Sequence, residues 1–370
     1  MFDSSRGRHA SIVVLTAILC AVLPSTGWTW GSVGHHYVAQ HYSQHLPTDL
    51  DGLRSYDGEV DAHVTDPDTR KGSTPGESER HYIDIDYYPE FLAGTLPRER
   101  AALEALYSPA IVTDKGVLPW TIGEVVTRLT QQFQARQWSA ASLTIADLCH
   151  YVGDANHALH CTVNYNGQLT GNTGIHSRHE STMITNYLGQ LDTPAMTAAF
   201  YSSPLDAAFD VIAASWAGVS LILEADDIAT ATAGGSPSGM TYYASLWDNT
   251  RTLTQARLDT ASVMTASLVY TAWVDADQPT VDAGTGVRLL AGPSPFHDVL
   301  TVSFSASGPL SVDVFDVRGA RVARLADNIT GGHSVEWRAR NSGAVVGPGL
   351  YFVRLSGPGT NLVRKVALVP

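Results

Sequence analysis

Apolar residues recur at three- and four-residue intervals over most of the stretch 30–275, which predicts a mainly helical region. Val125, Leu129 and Phe133 share one face behind Thr121-Ile122-Gly123-Glu124, whose Thr and Glu three apart resemble a capping box. Ser203-Pro204-Leu205-Asp206 opens another helix, along which Leu205, Phe209, Ile212, Trp216, Val219 and Leu223 step by threes and fours. Its aromatic stripe reads as packing. A Gly/Ser-rich break follows at 234–239, and Ala261, Met264, Leu268 and Ala272 mark a last helix. Residues 55–80 are different: rich in Asp, Gly, Ser, Thr and Pro without an apolar period, they predict a loop lying over a surface or a site.

The pattern changes after a Pro/Gly/Asp/Thr stretch at 276–286 that has the profile of a linker. Leu300-Val302-Phe304, Leu310-Val312-Val314 and Tyr351-Val353-Leu355 alternate with the residues between them, and Val317-Arg318-Gly319 and Gly331-Gly332 supply turns. This predicts an antiparallel β-sandwich over 287–370, about 80 residues, with no catalytic cluster in it. The expected architecture is thus a helical domain over 30–275 followed by a small all-β domain. With 370 residues and 44% hydrophobic content the chain can bury two cores.

The first residues read as a secretory signal: Arg6 and Arg8, an apolar run over 10–23, then Pro24-Ser25-Thr26-Gly27. Processing before Trp28 or before Trp30 removes residues 1–29 at most, and a secreted or cell-surface protein is expected. The run is short for a membrane span, and Leu19 before Cys20 does not suit a lipid-anchor site. Cys149 and Cys161 remain; on one continuous helix they would lie about 18 Å apart, so two buried free thiols are expected rather than a disulfide. The net charge of -13 argues against a broad basic surface gripping duplex nucleic acid, but not against a substrate held by bound metal ions.

Candidate chemistry concentrates in Leu148-Cys149-His150-Tyr151-Val152-Gly153-Asp154-Ala155-Asn156-His157-Ala158-Leu159-His160. His150 and Asp154, four apart, share a helix face, and His160 lies about three turns on from His150. His176 and Glu180 repeat the four-residue spacing. Imidazole with carboxylate suits zinc, and two such pairs so close together make a polynuclear site the natural expectation, since one ion rarely takes more than four protein ligands.

These residues resemble the superfamily of zinc-dependent phospholipases C and single-strand-specific nucleases of the S-one/P-one type. Trp30-Gly31-Ser32-Val33-Gly34-His35 looks like the nuclease N-terminal motif, Asp66 in Thr65-Asp66-Pro67-Asp68 matches the next acidic ligand, and His81 in His81-Tyr82-Ile83-Asp84 the next imidazole. His150, Asp154, His160, His176 and Glu180 complete the set. The resemblance runs over 30–275 and implies three zinc ions. Asp66, His81, His150 and Asp154 would hold the first, Trp30, His35 and a shared Asp154 the second, and His160, His176 and Glu180 the third. The carboxylates Asp66 and Asp154 are the implied catalytic ligands. A carboxylate between two close cations suits a trapped hydroxide, because the pair lowers the pKa of bound water towards about 7, and that hydroxide would attack phosphorus.

The two branches differ in substrate. Tyr82 stands where the nucleases place an aromatic ring against a base, and Asp84 where they contact a base edge, which favours single-stranded nucleic acid or nucleotides. Glu180 in place of Asp, and the short connection from His160 to His176, look more like the phospholipases and a phospholipid headgroup. The active-site Arg of the nucleases is displaced, with Thr69 at its place and Arg70 one residue on as the candidate phosphate contact. The primary reading is a nuclease-like phosphodiester hydrolase, with a phospholipase C and a non-catalytic, metal-stabilised adhesion protein as alternatives. His157 and His179 are read as hydrogen-bonding neighbours of the ligands, and Asp68 and Asp86 as solvated or outer groups. The β-rich end resembles the Ig-like sorting or FlgD-like domains of exported bacterial proteins, on Pro293-Ser294-Pro295-Phe296, Val314-Phe315-Asp316-Val317-Arg318-Gly319 and Gly349-Leu350-Tyr351-Phe352-Val353-Arg354-Leu355. This implies contact with secretion machinery; no stable protein partner is expected.

Overall fold

The computed structural model describes residues 31–193, 195–276 and 288–369, the last stretch apart from 293, 295, 342, 343 and 359. The expected leader and Trp30 lie outside the described residues, as does the expected linker beyond Ala276. The described chain is helical up to Ala276 and β-rich after it, with two separate clusters of buried apolar side chains, as the alternation of periods predicts.

The helix Trp138–Ala155 is the axis of the helical region. It packs against Leu118–Gln134, Gly239–Ala276, Asp57–His63 and Gly31–His41. Every residue from Leu148 to Ala155 is buried, so the two polar side chains on that stretch, His150 and Asp154, are held inside the protein whether or not they prefer it. Burying such groups is costly unless they are paired or bind an ion.

Several elements differ from their sequence expectation. The helix expected to start at a Thr121 cap begins at Leu118 with a proline in its first turn, and Thr121 donates its hydroxyl back to the Val117 carbonyl at 3.1 Å. A proline in the first turn loses no helix hydrogen bond, so the earlier start is preferred. The apolar stripe from Leu205 to Leu223 is split into Pro204–Trp216 and Val219–Thr232. Ser203 caps the first by accepting from the Asp206 amide, as expected. The break falls at Gly218, where a Cβ would meet a Leu253 methyl at 2.8 Å. The expected loop over 55–80 is a run of short helices, Asp57–His63 and Asp66–Arg70, then the 3-10 turn Ser78–His81. Helices of one or two turns bury only a side chain or two, here Val60 and Pro67, and leave no periodic signature. Cys149 and Cys161 are free and buried, as expected, although the helix that was to carry both ends at Ala155.

The β-rich region contains β1 Arg288–Gly292, β2 Leu300–Asp316, β3 Arg321–Trp337, β4 Arg340–Asn341, β5 Ala344–Val345, β6 Gly349–Gly357 and β7 Thr360–Leu368. All named pairings are antiparallel: β1-β2-β6-β7 in order, with β3 along the other edge of β2 and β4 paired to β5. The register of β2 against β3 shifts between Ala306 and Leu310, and β2 changes its other neighbour there, pairing β1 before the shift and β6 after it. Bulged strands bend, so one long ribbon pairs with both β1 and β6 in a single five-stranded sheet, with Val302, Val312, Val314, Val353 and Leu355 in its core. Lys365 of β7 sets its ammonium 5.8 Å from the Trp273 ring, at the end of the last helix.

Because Leu148 is fully buried in the axial helix, Leu148→Ala is expected to lower the unfolding free energy by about 2–5 kcal/mol in a denaturant titration, as cavity-forming core substitutions do.

Candidate metal centre

Three groups of metal-ligating side chains lie side by side: Asp68, His81 and His150; His35, His150 and Asp154; and His157, His160, His176 and Glu180. Within each group one donor atom per residue lies within 4.8 Å of the others.

Backbone contacts decide which ring nitrogen faces inward. His150 donates Nδ1–H to the Val64 carbonyl at 2.8 Å, which leaves its Nε2 as an acceptor 3.0 Å from His81 Nδ1 and 3.5 Å from Asp154 Oδ2. His160 donates Nδ1–H to the His81 carbonyl at 2.8 Å, and His176 donates Nδ1–H to the Tyr165 carbonyl at 3.0 Å. Their Nε2 atoms therefore meet at 3.1 Å, with Glu180 Oε2 at 3.4 Å from His160 and 3.0 Å from His176. With each Nδ1 given to a carbonyl, the two Nε2 atoms face each other beside a carboxylate, a donor set that suits a cation between them.

Asp154 joins the groups. Its Oδ2 lies 3.0 Å from His81 Nδ1, while Oδ1 lies 3.6 Å from His35 Nε2 and 3.6 Å from His160 Nδ1. The shared carboxylate expected from the sequence thus faces two ligand groups with different oxygens. Trp30 lies outside the described residues, one position before the helix that carries His35.

Asp66 is not in any of these groups. Its side chain is 50% exposed and accepts from His63 at 2.8 Å, whereas Asp68, 17% exposed, turns Oδ1 to within 3.6 Å of His150 Nε2 and 3.8 Å of His81 Nδ1. The two aspartates are two residues apart on the helix Asp66–Arg70, and positions i and i+2 face apart. Of the two carboxylates the sequence offers, Asp68 rather than the expected Asp66 is the one turned towards His81 and His150. The same geometry turns Arg70 away from Asp68. Its guanidinium donates to Asp147 at 2.9 Å and lies 3.5 Å from Glu77, lining a cavity of about 500 Å³ with Arg80, Glu124, Arg128 and Tyr151. Arg70 is therefore committed to an ion-pair network rather than placed among the metal-ligating groups.

Tyr82 and Asp84 sit on the strip that carries His81. Ile83 N–H donates to the His160 carbonyl at 2.9 Å and Asp84 N–H to the Lys115 carbonyl at 2.7 Å, so the strip is tied to the His160 turn on one side and to residues 115–118 on the other. Tyr82 donates its hydroxyl to the Asp114 carbonyl at 3.0 Å. Its ring and carbonyl crowd Gly116, where an added Cβ would come within 2.1 Å of the Tyr82 oxygen and φ is +89°. Asp84 faces the Lys115 ammonium at 3.6 Å, and burial raises its pKa to about 6 despite that cation. Asp86, expected as an outer group, accepts from Thr162, the Val163 amide and Trp216, and so pins the chain just after His160.

His160 reaches the cluster by a route the helical spacing did not foresee. The axial helix ends at Ala155, and the chain reverses through Asn156 and His157 into the 3-10 turn Ala158–His160. His176 and Glu180 arrive from a segment braced by Arg178. Its guanidinium donates to both Asp226 oxygens at 2.9 Å and to the Tyr242 hydroxyl at 2.9 Å. Glu180 lies in a π-helical stretch, Arg178–Met183, a deviation common where a side chain must be aimed at a site.

Electrostatics favour deprotonated ligands. Burial holds the imidazoles of His35, His81 and His150 well below their ordinary pKa of 6.5, with neighbouring imidazoles and Lys71 adding to the effect. Burial opposes ionisation of Glu180, but His176 and His160 outweigh it and keep its pKa below the ordinary value. Asp68 is likewise held low, burial being overcome by His35 and by Lys71, whose ammonium donates to it at 2.7 Å.

Two outcomes follow. Asp68→Asn should remove about one equivalent of tightly bound metal on equilibrium dialysis, while Asp66→Asn should leave the metal content unchanged. Between the ordinary pKa of about 6.5 and their lowered folded values the unfolded histidines hold more protons than the folded ones, so stability rises with pH through that window. The urea midpoint of the metal-free protein should thus be steady above about 6.5 and fall progressively below it.

No protein-family model matches the chain, and no curated relative matches it. Among solved structures it is similar to the alpha-toxin of Clostridium perfringens from an avian strain, at a TM-score of 0.46 and 11% identity over 93% of this chain and 96% of that one. It is similar to the alpha toxin of Clostridium absonum at 0.43 and 11%, over 93% and 97%. A further 21%-identical match covers 22% of this chain and 11% of PorZ, a surface component of the type-IX secretion system of Porphyromonas gingivalis, at a TM-score of 0.19. At these values the chemistry rests on the site geometry alone.

Proposed function

We propose that this protein is a zinc-dependent phosphoric ester hydrolase that acts on phospholipid headgroups. The observation that carries the reading is the convergence of backbone-oriented, neutral imidazole nitrogens on Asp154 and Glu180 in three adjoining groups. Nitrogen and carboxylate donors without thiolates suit zinc. Bound zinc would supply Lewis acidity towards a phosphoryl oxygen and acidify a coordinated water.

The chain's own residues do the rest. Asp68, His81 and His150 would hold one ion, His35 and Trp30 another, and Asp154 would be shared between them; His160, His176 and Glu180 would hold a third. The carbonyls of Val64, His81 and Tyr165 keep the ring tautomers that point lone pairs inward. The buried walls hold bulk water away from the charged groups and strengthen their fields.

The choice of lipid over nucleic acid is supported by three features. Glu180 stands where the nuclease pattern has Asp, and the connection from His160 to His176 is short. Tyr82 and Asp84, the residues a nuclease reading would assign to a base, are held by the Asp114 carbonyl and by Lys115. The N-terminal leader supports an exported enzyme, and the β-rich domain a contact with secretion machinery.

Zinc-loaded protein is expected to release phosphocholine from phosphatidylcholine vesicles and to lose that activity with chelator. Cleavage of a single-stranded oligonucleotide, with intact lipid, would return the protein to the nuclease reading. Turnover of neither substrate, nor of bis-p-nitrophenyl phosphate, in fully metallated protein would leave the adhesion reading.

A further inference from the structure

The third group of ligating side chains contains one residue more than the resemblance implies. A ring nitrogen of His157 lies in the same 4.8 Å set as the donors of His160, His176 and Glu180. The His157 ring is 1% exposed, stacks on His176 with centroids 5.6 Å apart, and meets His160 edge-on at 5.2 Å.

Its position follows from the chain reversal after the axial helix. His157 N–H donates to the Asp154 carbonyl at 3.0 Å, and His160 N–H donates to the His157 carbonyl at 3.0 Å. The turn therefore carries both imidazoles towards one point. The His157 Nε2 lies 3.1 Å from Nδ1 of His179, a buried imidazole next to Glu180. One ring nitrogen turned to an ion while a neighbour holds the other is the usual arrangement of a metal-ligating histidine.

We propose that His157 is a fourth protein ligand of the third ion, which closes that site as a three-histidine, one-glutamate set, with His179 as the positioning residue that sets the His157 tautomer. The inference rests on the metal-binding part of the function proposed above and is independent of its substrate. A zinc ion with four protein donors has no open position at tetrahedral geometry. The third ion is then held as a fixed charge beside the other two, and the open coordination position belongs to the ion held by His35, Trp30 and the shared Asp154. The third ion is also the one that leaves last.

Stepwise cobalt(II) loading of the full chain tests this without reference to catalysis. Four-coordinate cobalt absorbs far more strongly in the visible than five- or six-coordinate cobalt. In the wild type the ion that resists a competing chelator longest should show the intense four-coordinate spectrum. His157→Ala should lose that spectrum and weaken one ion, leaving the rest of the metal content in place. His179→Ala should weaken the same ion by about 10–100-fold, the scale for loss of an outer hydrogen-bond partner, and His179→Gln should restore much of it. If His157→Ala does not fold, an imidazole count from X-ray absorption on wild-type protein with only its tightest site filled decides the question. Metal binding with no four-coordinate ion, or with no effect of His157, would overturn this inference alone. Failure of the wild type to bind metal would overturn the hydrolase reading as well.

Discussion

Everything in the helical region is arranged to keep one carboxylate, Asp154, inside the protein among imidazoles. Its two oxygens face different sets: Oδ2 towards His81 and His150, Oδ1 towards His35 and His160. A fully buried carboxylate surrounded by neutral rings is unfavourable by itself. The axial helix cannot turn it outward, because its last two turns are enclosed on every side. Bound cations would reconcile the packing with the charge, and the ring tautomers set by three backbone carbonyls are those a cation needs.

This dependence couples the site to the fold. His81 and His160 are separated widely in sequence, yet each segment hydrogen-bonds the other: Ile83 N–H to the His160 carbonyl, and His160 Nδ1–H to the His81 carbonyl. Gly116 allows the His81 strip to lie against the following helix, and Asp86 ties down the chain after His160. Arg178, locked to Asp226 and Tyr242, braces the segment that brings His176 and Glu180. The ligands thus come from short, irregular pieces, each pinned by its own buried polar contacts. The longer helices Gly31–His41 and Trp138–Ala155 supply His35, His150 and Asp154 together with much of the enclosure.

The second domain has a different basis. Its core is apolar, its strands pair antiparallel, and at a register break against β3 the strand β2 exchanges β1 for β6 as its other neighbour. Its edge strand β7 meets the end of the last helix through Lys365 and Trp273. The β-rich unit is therefore in contact with the helical one, close to where the Trp138 and Phe133 rings pack on Trp273.

By itself the sequence determined what short-range periodicity and residue chemistry can carry: a helical region followed by strands, free buried cysteines, and the expectation that His35, His81, His150, Asp154, His160, His176 and Glu180 come together, as they do in three adjoining groups. It left the choice between Asp66 and Asp68 open to error, because both carboxylates suit an ion and only the orientation of a one-turn helix tells them apart. Arg70, two positions on from Asp68, turns to Asp147 for the same reason. That His157 lies beside His160, His176 and Glu180 could not be read from its spacing, because nothing there shows that the helix stops at Ala155 and reverses. Tertiary structure decided these points, since the direction of a side chain on a short, irregular segment is fixed by distant partners such as Val64, Asp147 and Asp226. No local pattern records those partners.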